Sequence, residues 1–369
     1  MKQRLYLCIA LQFLFIDNFF GQNPNIDSSW NVYFQDDFNS QSTLTTLWNW
    51  HYPWTSCISE SATTNLLQNR KVNNGYLELT ILKQPTTCQN YVTGVIENKE
   101  YSTGAIYSKA SYKYGYFETK FRLKQPQSDG EVEGLGPNFW LLPFGDGVHD
   151  AYDPEFSNTR YSEIDIVELM RSKFTYTFNM HSKIDTAAPK FTSSFTLNPY
   201  DPITVWTSDF KRSKELDFNQ EHTFACEWSP NYVIYYLDNQ QIQITDYPLV
   251  KNLIEMNIIL DINLPTNSQM PGPSTVFPFK LMVDYVKVYK LKLDCSNSVM
   301  PADFNYSTFD HTVKKSITLG QQTGQMQPGQ SIALRARDFV QMVDGFEVPI
   351  GADFYANNYE CDCNTIKSE

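Results

Sequence analysis

The feature that most restricts the fold is a two-residue hydrophobic rhythm that recurs along the chain and never gives way to a helical one. Phe117, Thr119, Phe121 and Leu123 alternate with Glu118, Lys120 and Arg122, the pattern of a strand with one face in a core. Tyr76–Ile81 repeats it after Asn74-Gly75, and Met282–Tyr289 repeats it again. Tyr232–Leu237, then Asp238-Asn239, then Gln241–Thr245 read as strand, two-residue turn and strand, which is a hairpin. No long stretch keeps a 3.6-residue period; Pro248–Met256 has room for one short helix. Many strands and few helices predict an all-β protein built as a sandwich of two antiparallel sheets.

The 369 residues suffice for one large β domain and a smaller appendage. Around Leu293–Pro301 the texture changes: Trp disappears, Gly and Gln increase, and short β-like stretches such as Ser331–Arg335 follow. The expected division is a leader over 1–21, a main domain over 22–297 and a small β module over 298–369. The leader reading rests on Lys2 and Arg4 ahead of the twelve-residue apolar run Leu5–Ile16, broken only by Gln12. That run is shorter than the ~20 residues a bilayer needs. It predicts export with cleavage near Phe20-Gly21-Gln22, and no later stretch predicts membrane insertion. A formal net charge of −12 argues against a nucleic-acid partner, which needs clustered Lys and Arg. The chain is expected to be a monomer. With Cys8 in the leader, Cys57 and Cys88 are the favoured disulfide, both lying in loop-like sequence. Cys226 reads equally as a buried free thiol, and Cys361-Asp362-Cys363 as a metal fragment with no second half.

The chemistry concentrates in Glu163-Ile164-Asp165-Ile166-Val167-Glu168. In a regular strand Glu163 and Asp165 share a face and Glu168 points the other way. One extra residue, a β-bulge near Ile166-Val167, returns Glu168 to the first face and sends Ile164 and Val167 into the core. Three acids on one sheet face repel each other, so the arrangement carries a cost that function would explain. Neighbouring carboxylates push one another's pKa values apart, which lets one hold a proton while another is ionised. Glycoside hydrolysis needs that division of labour, with one acid protonating the leaving oxygen and the other attacking or activating water. The competing readings of the same pattern are an edge strand with solvated acids and a carboxylate cluster holding calcium.

The segment is similar to the E-x-D-x-x-E signature of glycoside hydrolase family 16 in its bulged, laminarinase-like form. Tyr101–Ser108, Tyr114–Glu118, Gly136–Pro143, Glu221–Pro230 and Val283–Tyr289 also resemble that family's strands, in its order, over about residues 30 to 291. The resemblance implies a concanavalin-like jelly roll with a substrate groove across one sheet. It implies Glu163 as nucleophile, Glu168 as general acid/base and Asp165 as the residue tuning protonation between them, with no cofactor for catalysis. Trp140 and Trp228 match aromatic groove positions; core Trp is the alternative for each, and the groove is the favoured place for Trp140. His181 follows the catalytic strand where the family places a polar groove residue. Asn138, after Pro137, stands where the family usually has Trp-Pro-Ala, so one sugar subsite is expected to differ. The insertion Gly145–Arg160 is expected to form a loop over the groove. Family members often bind a structural calcium on the opposite side, and Asp37 and Asp284 are the candidates by position.

The tail, Ser331–Arg337 with Gly345–Ala356, resembles a β module common at the C-termini of exported Bacteroidetes proteins. The expected partner is a polysaccharide, with β-1,3- or mixed-linkage glucan first and algal galactans (agar, carrageenan, porphyran) open. A sulfated polymer would call for groove cations, for which Arg160, Arg171 and Lys173 are nearby. A transglycosylase with the same two glutamates, and a non-catalytic glycan binder on the same fold, are the other readings.

Overall fold

The computed structural model describes residues 24, 29–50, 57, 63–89, 94–126, 135–143, 161–172, 175–183, 219–245, 250, 253–264, 275–306, 309, 311–320, 326–328 and 331–359. The expected leader, the Gly145–Arg160 loop, Lys173 and Cys361-Asp362-Cys363 lie outside them, as do residues 248, 249, 251 and 252 of Pro248–Met256.

Two antiparallel sheets form the predicted sandwich. The first orders its strands β13 (Thr175–Lys183), β12 (Tyr161–Ser172), β11 (Gly136–Leu142), β17 (Met256–Asn263), β9 (Ala105–Tyr112) and β2 (Trp48–Asn49). The second runs β16 (Gln240–Thr245), β15 (Val233–Leu237), β14 (His222–Trp228), β10 (Gly115–Lys124), β18 (Phe279–Leu291), β5 (Tyr76–Ile81) and β4 (Arg70–Asn73), with β1 (Trp30–Asp36) also paired to β18. Small ladders join β3 (Thr63–Asn65) to β8 (Tyr101–Thr103) and β6 (Thr86–Gln89) to β7 (Ile96–Lys99).

Side-chain alternation decides what fills the space between the sheets. Phe117 and Phe121 of β10 and Phe224 of β14 meet Phe139 and Leu141 of β11 and Ile258 and Leu260 of β17 in one buried cluster. Phe121 and Phe224 stack with ring centroids 4.5 Å apart. Each such side chain removed from water contributes roughly 1.5–3 kcal/mol. The β15–β16 hairpin turns through Asp238 and Asn239 at φ 49° and 65°, the left-handed conformation a two-residue turn requires. Cys57 and Cys88 are disulfide-bonded with Cα atoms 5.4 Å apart, and Cys226 is a buried free thiol.

One expected groove residue belongs to this core instead. Trp228 is 1% exposed and packs with Phe117 and Tyr114. It alternates in phase with Phe224 and Cys226, so β14 turns it inward, away from any glycan.

The tail is β, as expected, but its strands run parallel. β19 (Leu293–Val299), β20 (Val313–Leu319), β21 (Ser331–Met342) and β22 (Asp353–Asn358) form a four-stranded sheet with three parallel ladders. Its own core gathers Phe304, Ile317, Leu319, Ile332 and Leu334. The expected cut after residue 297 falls inside β19, where Asp294 and Ser298 both pair with β20.

This sheet covers the outer face of the second sandwich sheet. Tyr116, Tyr232, Ile234, Tyr236 and Tyr289 of the sandwich share a buried cluster with Cys295, Val313 and Tyr359 of the tail. Cys295 is itself disulfide-bonded. Within this interface Arg335 pairs with Glu227 at 3.1 Å, both 1% exposed, and the Tyr232 hydroxyl donates to Glu227 Oε1 at 2.6 Å. Asn231 Nδ2 donates across the junction to Asn357 Oδ1 and the Asn358 carbonyl at 3.2 and 3.0 Å.

Candidate active site

The acid-bearing strand β12 loses register at one place. Against β11, Trp140 stands opposite Asp165 and Phe139 opposite Val167, which leaves Ile166 as the extra residue. Against β13 the register also shifts between Asp165 and Glu168. The expected bulge is therefore present, and its consequence follows. Ile164, Ile166 and Val167 all enter the sandwich core, while Glu163, Asp165 and Glu168 occupy the face turned away from it. Glu163 and Glu168 are half-buried, and Asp165 is 4% exposed.

Burial pushes the Asp165 carboxyl well above the usual carboxylate range, and the charges of Glu168 and Asp261 push the same way. Hydrogen bonds with Glu163 and Asn179 pull against that rise without reversing it. Two carboxyl groups in hydrogen-bond contact need a proton between them, so Glu163 and Asp165 hold one in common. Asn179, opposite Asp165 on β13, donates its Nδ2 to Glu168 Oε2 at 3.1 Å, so one amide ties the second glutamate to the same constellation.

A raised carboxyl pKa has a definite sign in stability. The native state holds the Asp165 proton after an unfolded chain would release it, so this contribution is full below about pH 4 and is lost as pH rises through the folded value. Asp165→Asn removes the titration. Denaturant melts from about pH 4 to about pH 8 are expected to shift the stability difference steadily in the variant's favour. A pH-independent difference would show that Asp165 is not held protonated.

The other expected site residues divide. Trp140 lies half-buried on the same face as the acids, since Phe139 and Leu141 on either side point into the core. Asn138 stands opposite Glu168, and β13 sets His181 opposite Glu163 in register. Trp228, as shown above, is a core residue.

The two residues expected for calcium each have a protein partner. Asp284 is the bulged residue of β18 between Lys120's and Phe121's partners and is ion-paired with Lys120. Asp37 accepts from Gln35 Nε2. Among the described residues no three His, Cys, Asp or Glu side chains gather as a metal site.

Two residues of the site escaped the sequence reading. One is Asn179. The other is Asp261 of β17, 0% exposed, which accepts from Asn138 Nδ2 at 2.7 Å and from Trp140 Nε1 at 2.8 Å. A carboxylate inside the apolar run Met256–Asn263 is the signal that marks it, because an acid is buried only where donors await it.

Comparison with known proteins agrees with this geometry. The model of the glycosyl hydrolases family 16 matches residues 60–256, which include the bulged segment. An endo-1,3-1,4-beta-glycanase of Rhizobium meliloti is 26% identical over 225 residues, a match covering 60% of this chain and 40% of that protein. The chain thus spans well under half the length of that relative. The catalytic domain of an endo-1,3-beta-glucanase (laminarinase) from Thermotoga petrophila aligns with a TM-score of 0.52 and 19% identity, covering 71% of this chain and 98% of that one. Porphyranase B from Zobellia galactanivorans also reaches 0.52, at 16% identity, covering 71% and 93%. These structures share the jelly-roll fold. With the family model spanning more than half of the chain, and the bulged acid strand inside that span, the protein belongs to glycosyl hydrolases family 16.

Proposed function

We propose that the protein is an exported, retaining, endo-acting hydrolase of a neutral β-glucan, with β-1,3 or mixed β-1,3-1,4 linkages as its substrate. The observation that carries this reading is the bulge at Ile166, which puts Glu163, Asp165 and Glu168 on one face. In the first step the Glu163 carboxylate attacks the anomeric carbon while Glu168 protonates the departing oxygen. The glycosidic bond breaks and a glycosyl ester forms on Glu163. In the second step Glu168, now a base, takes a proton from water. That water displaces Glu163, giving a product of retained configuration. Asp165, hydrogen-bonded to Glu163, tunes that carboxyl as its charge is consumed and restored. No cofactor enters this chemistry.

Two observations support the glucan. The relative in Rhizobium meliloti and the laminarinase of similar fold are described as acting on β-1,3 or β-1,3-1,4 linkages. Charge supports a neutral polymer: Glu163, Asp165, Glu168 and Asp261 all belong to the described part of this face, which disfavours sulfated chains. The galactan reading keeps two arguments, the equal likeness to porphyranase B and Asn138 in place of the usual aromatic.

Reducing-end release from laminarin, lichenan, agarose, carrageenan and porphyran tests this. Cleavage of laminarin or lichenan alone is the expected outcome. Cleavage confined to a galactan would replace the glucan reading, longer products from added acceptor would mark a transglycosylase, and binding without release would mark a lectin.

A further inference from the structure

We propose that Asp261 is a positioning residue for glycan binding: it anchors the Trp140 ring and the Asn138 amide beside the catalytic acids, so that Trp140 meets sugar with its ring face. The inference rests on the active face assigned above and deepens it.

The argument begins with the strand. In β17, Met256, Ile258, Leu260 and Ile262 belong to the sandwich core, which leaves Asn257, Ile259, Asp261 and Asn263 on the face shared with the acids. Asp261 is 0% exposed there. A carboxylate so placed is costly unless its lone pairs are met by donors. Both oxygens are met. Oδ1 accepts from Asn138 Nδ2 at 2.7 Å and from Asn263 Nδ2 at 3.3 Å, and Oδ2 accepts from Trp140 Nε1 at 2.8 Å.

The register gives these contacts their meaning. Asp261 pairs with Asn138 across the β11–β17 ladder, and β11 in turn sets Asn138 opposite Glu168 and Trp140 opposite Asp165. A single buried carboxylate thus holds two side chains that each flank an acid of the site. Indole has one donor, and Asp261 takes it. What remains of Trp140 for a ligand is its π-face and C–H edge, suited to the apolar face of a pyranose. Because the ring is held before the sugar arrives, binding does not have to order it. A packing role alone would not require this choice of acceptor. An Asn at 261 would keep one acceptor and turn its N–H₂ toward either the Trp140 N–H or the Asn138 amide, setting donor against donor.

The test is a double-mutant cycle of Asp261→Asn and Trp140→Phe, carried in a Glu163→Gln background so that binding is read without turnover. Calorimetric affinity for a laminarin-derived hexasaccharide (agarose-derived if the polymer panel selects the galactan) is the readout, with thermal melts of each variant. Asp261→Asn is expected to weaken binding about tenfold, the loss typical of one charge-assisted hydrogen bond. In the Trp140→Phe background, which has no indole N–H, the same change is expected to cost less than about threefold. Unchanged affinity, or a full additive loss in the Trp140→Phe background, would overturn the inference. If Asp261→Asn does not fold, Trp140→Phe alone decides: weaker binding supports an anchored platform and unchanged binding refutes it. Failure of the hydrolase reading looks different, since it appears as a wild type that cleaves no polymer while this binding cycle keeps its outcome.

Discussion

Glu163→Gln is expected to lower kcat by roughly 10⁴-fold or more, because no other group can form the glycosyl ester. The change is nearly isosteric at a half-buried position. The amide, able to donate or accept, can still hydrogen-bond Asp165, so the contact that fixes the side chain survives and melting should stay close to wild type. Glycan affinity should also persist, since the ring platform and amides of β11 and β17 are untouched. Initial rates and equilibrium binding on one preparation check this. Appreciable residual turnover would remove Glu163 from the nucleophile role, and loss of binding together with rate would indicate a collapsed face.

The second large effect lies on the opposite side of the molecule. Arg335→Met is expected to destabilise the protein by about 3–5 kcal/mol, the usual cost of leaving one charge of a buried ion pair without its partner. Arg335 and Glu227 are each 1% exposed, and the guanidinium also lies 5.8 Å from the Trp30 ring centroid. Losing the cation leaves Glu227 with the Tyr232 and Tyr236 hydroxyls, which hydrogen-bond a carboxylate but do not neutralise it. Replacing both partners, Arg335→Met with Glu227→Leu, should recover much of the loss, because neither charge then needs solvation. Urea melts of the two variants decide the point. A single-variant loss below about 1 kcal/mol would mean that water reaches the interface. Catalytic constants of the folded fraction should not change, since the acids sit on the other sheet.

Much of the sandwich was legible because its strands have one face in the core, so that period-2 alternation survives in the sequence. Phe117–Leu123 and Tyr76–Ile81 read correctly for this reason, and Asp238-Asn239 announced its turn through residues that tolerate positive φ. The bulge was legible from acid spacing alone, since a flat strand would have buried Glu168 in the core. Trp228 was misplaced because β14 is covered on both faces. Phe224, Cys226 and Trp228 face the sandwich core, while Ala225 belongs to the cluster under the tail and Glu227 pairs with Arg335. Alternation vanishes in such a strand, and a family motif then points at a Trp without giving its direction. The parallel course of the tail was hidden for a related reason: short β stretches at intervals of about twenty residues do not disclose which way their partners run. Asp261 belongs to no cluster of acids in the sequence, and its partners, Asn138 and Trp140, lie on another strand more than a hundred residues earlier.

The account stands most directly on the separate roles of Glu163 and Glu168. With an activated aryl glycoside, Glu163→Ala and Glu168→Ala can each be supplied with azide and the glycosyl azide formed can be read by NMR. Without Glu163, azide displaces the phenolate in one inverting step, and the α-azide is predicted. Without Glu168, the phenolate leaves to form the ester on Glu163 and azide then displaces the carboxylate, so the β-azide is predicted. The opposite pairing of variants and anomers, or an α-azide from both, would contradict it.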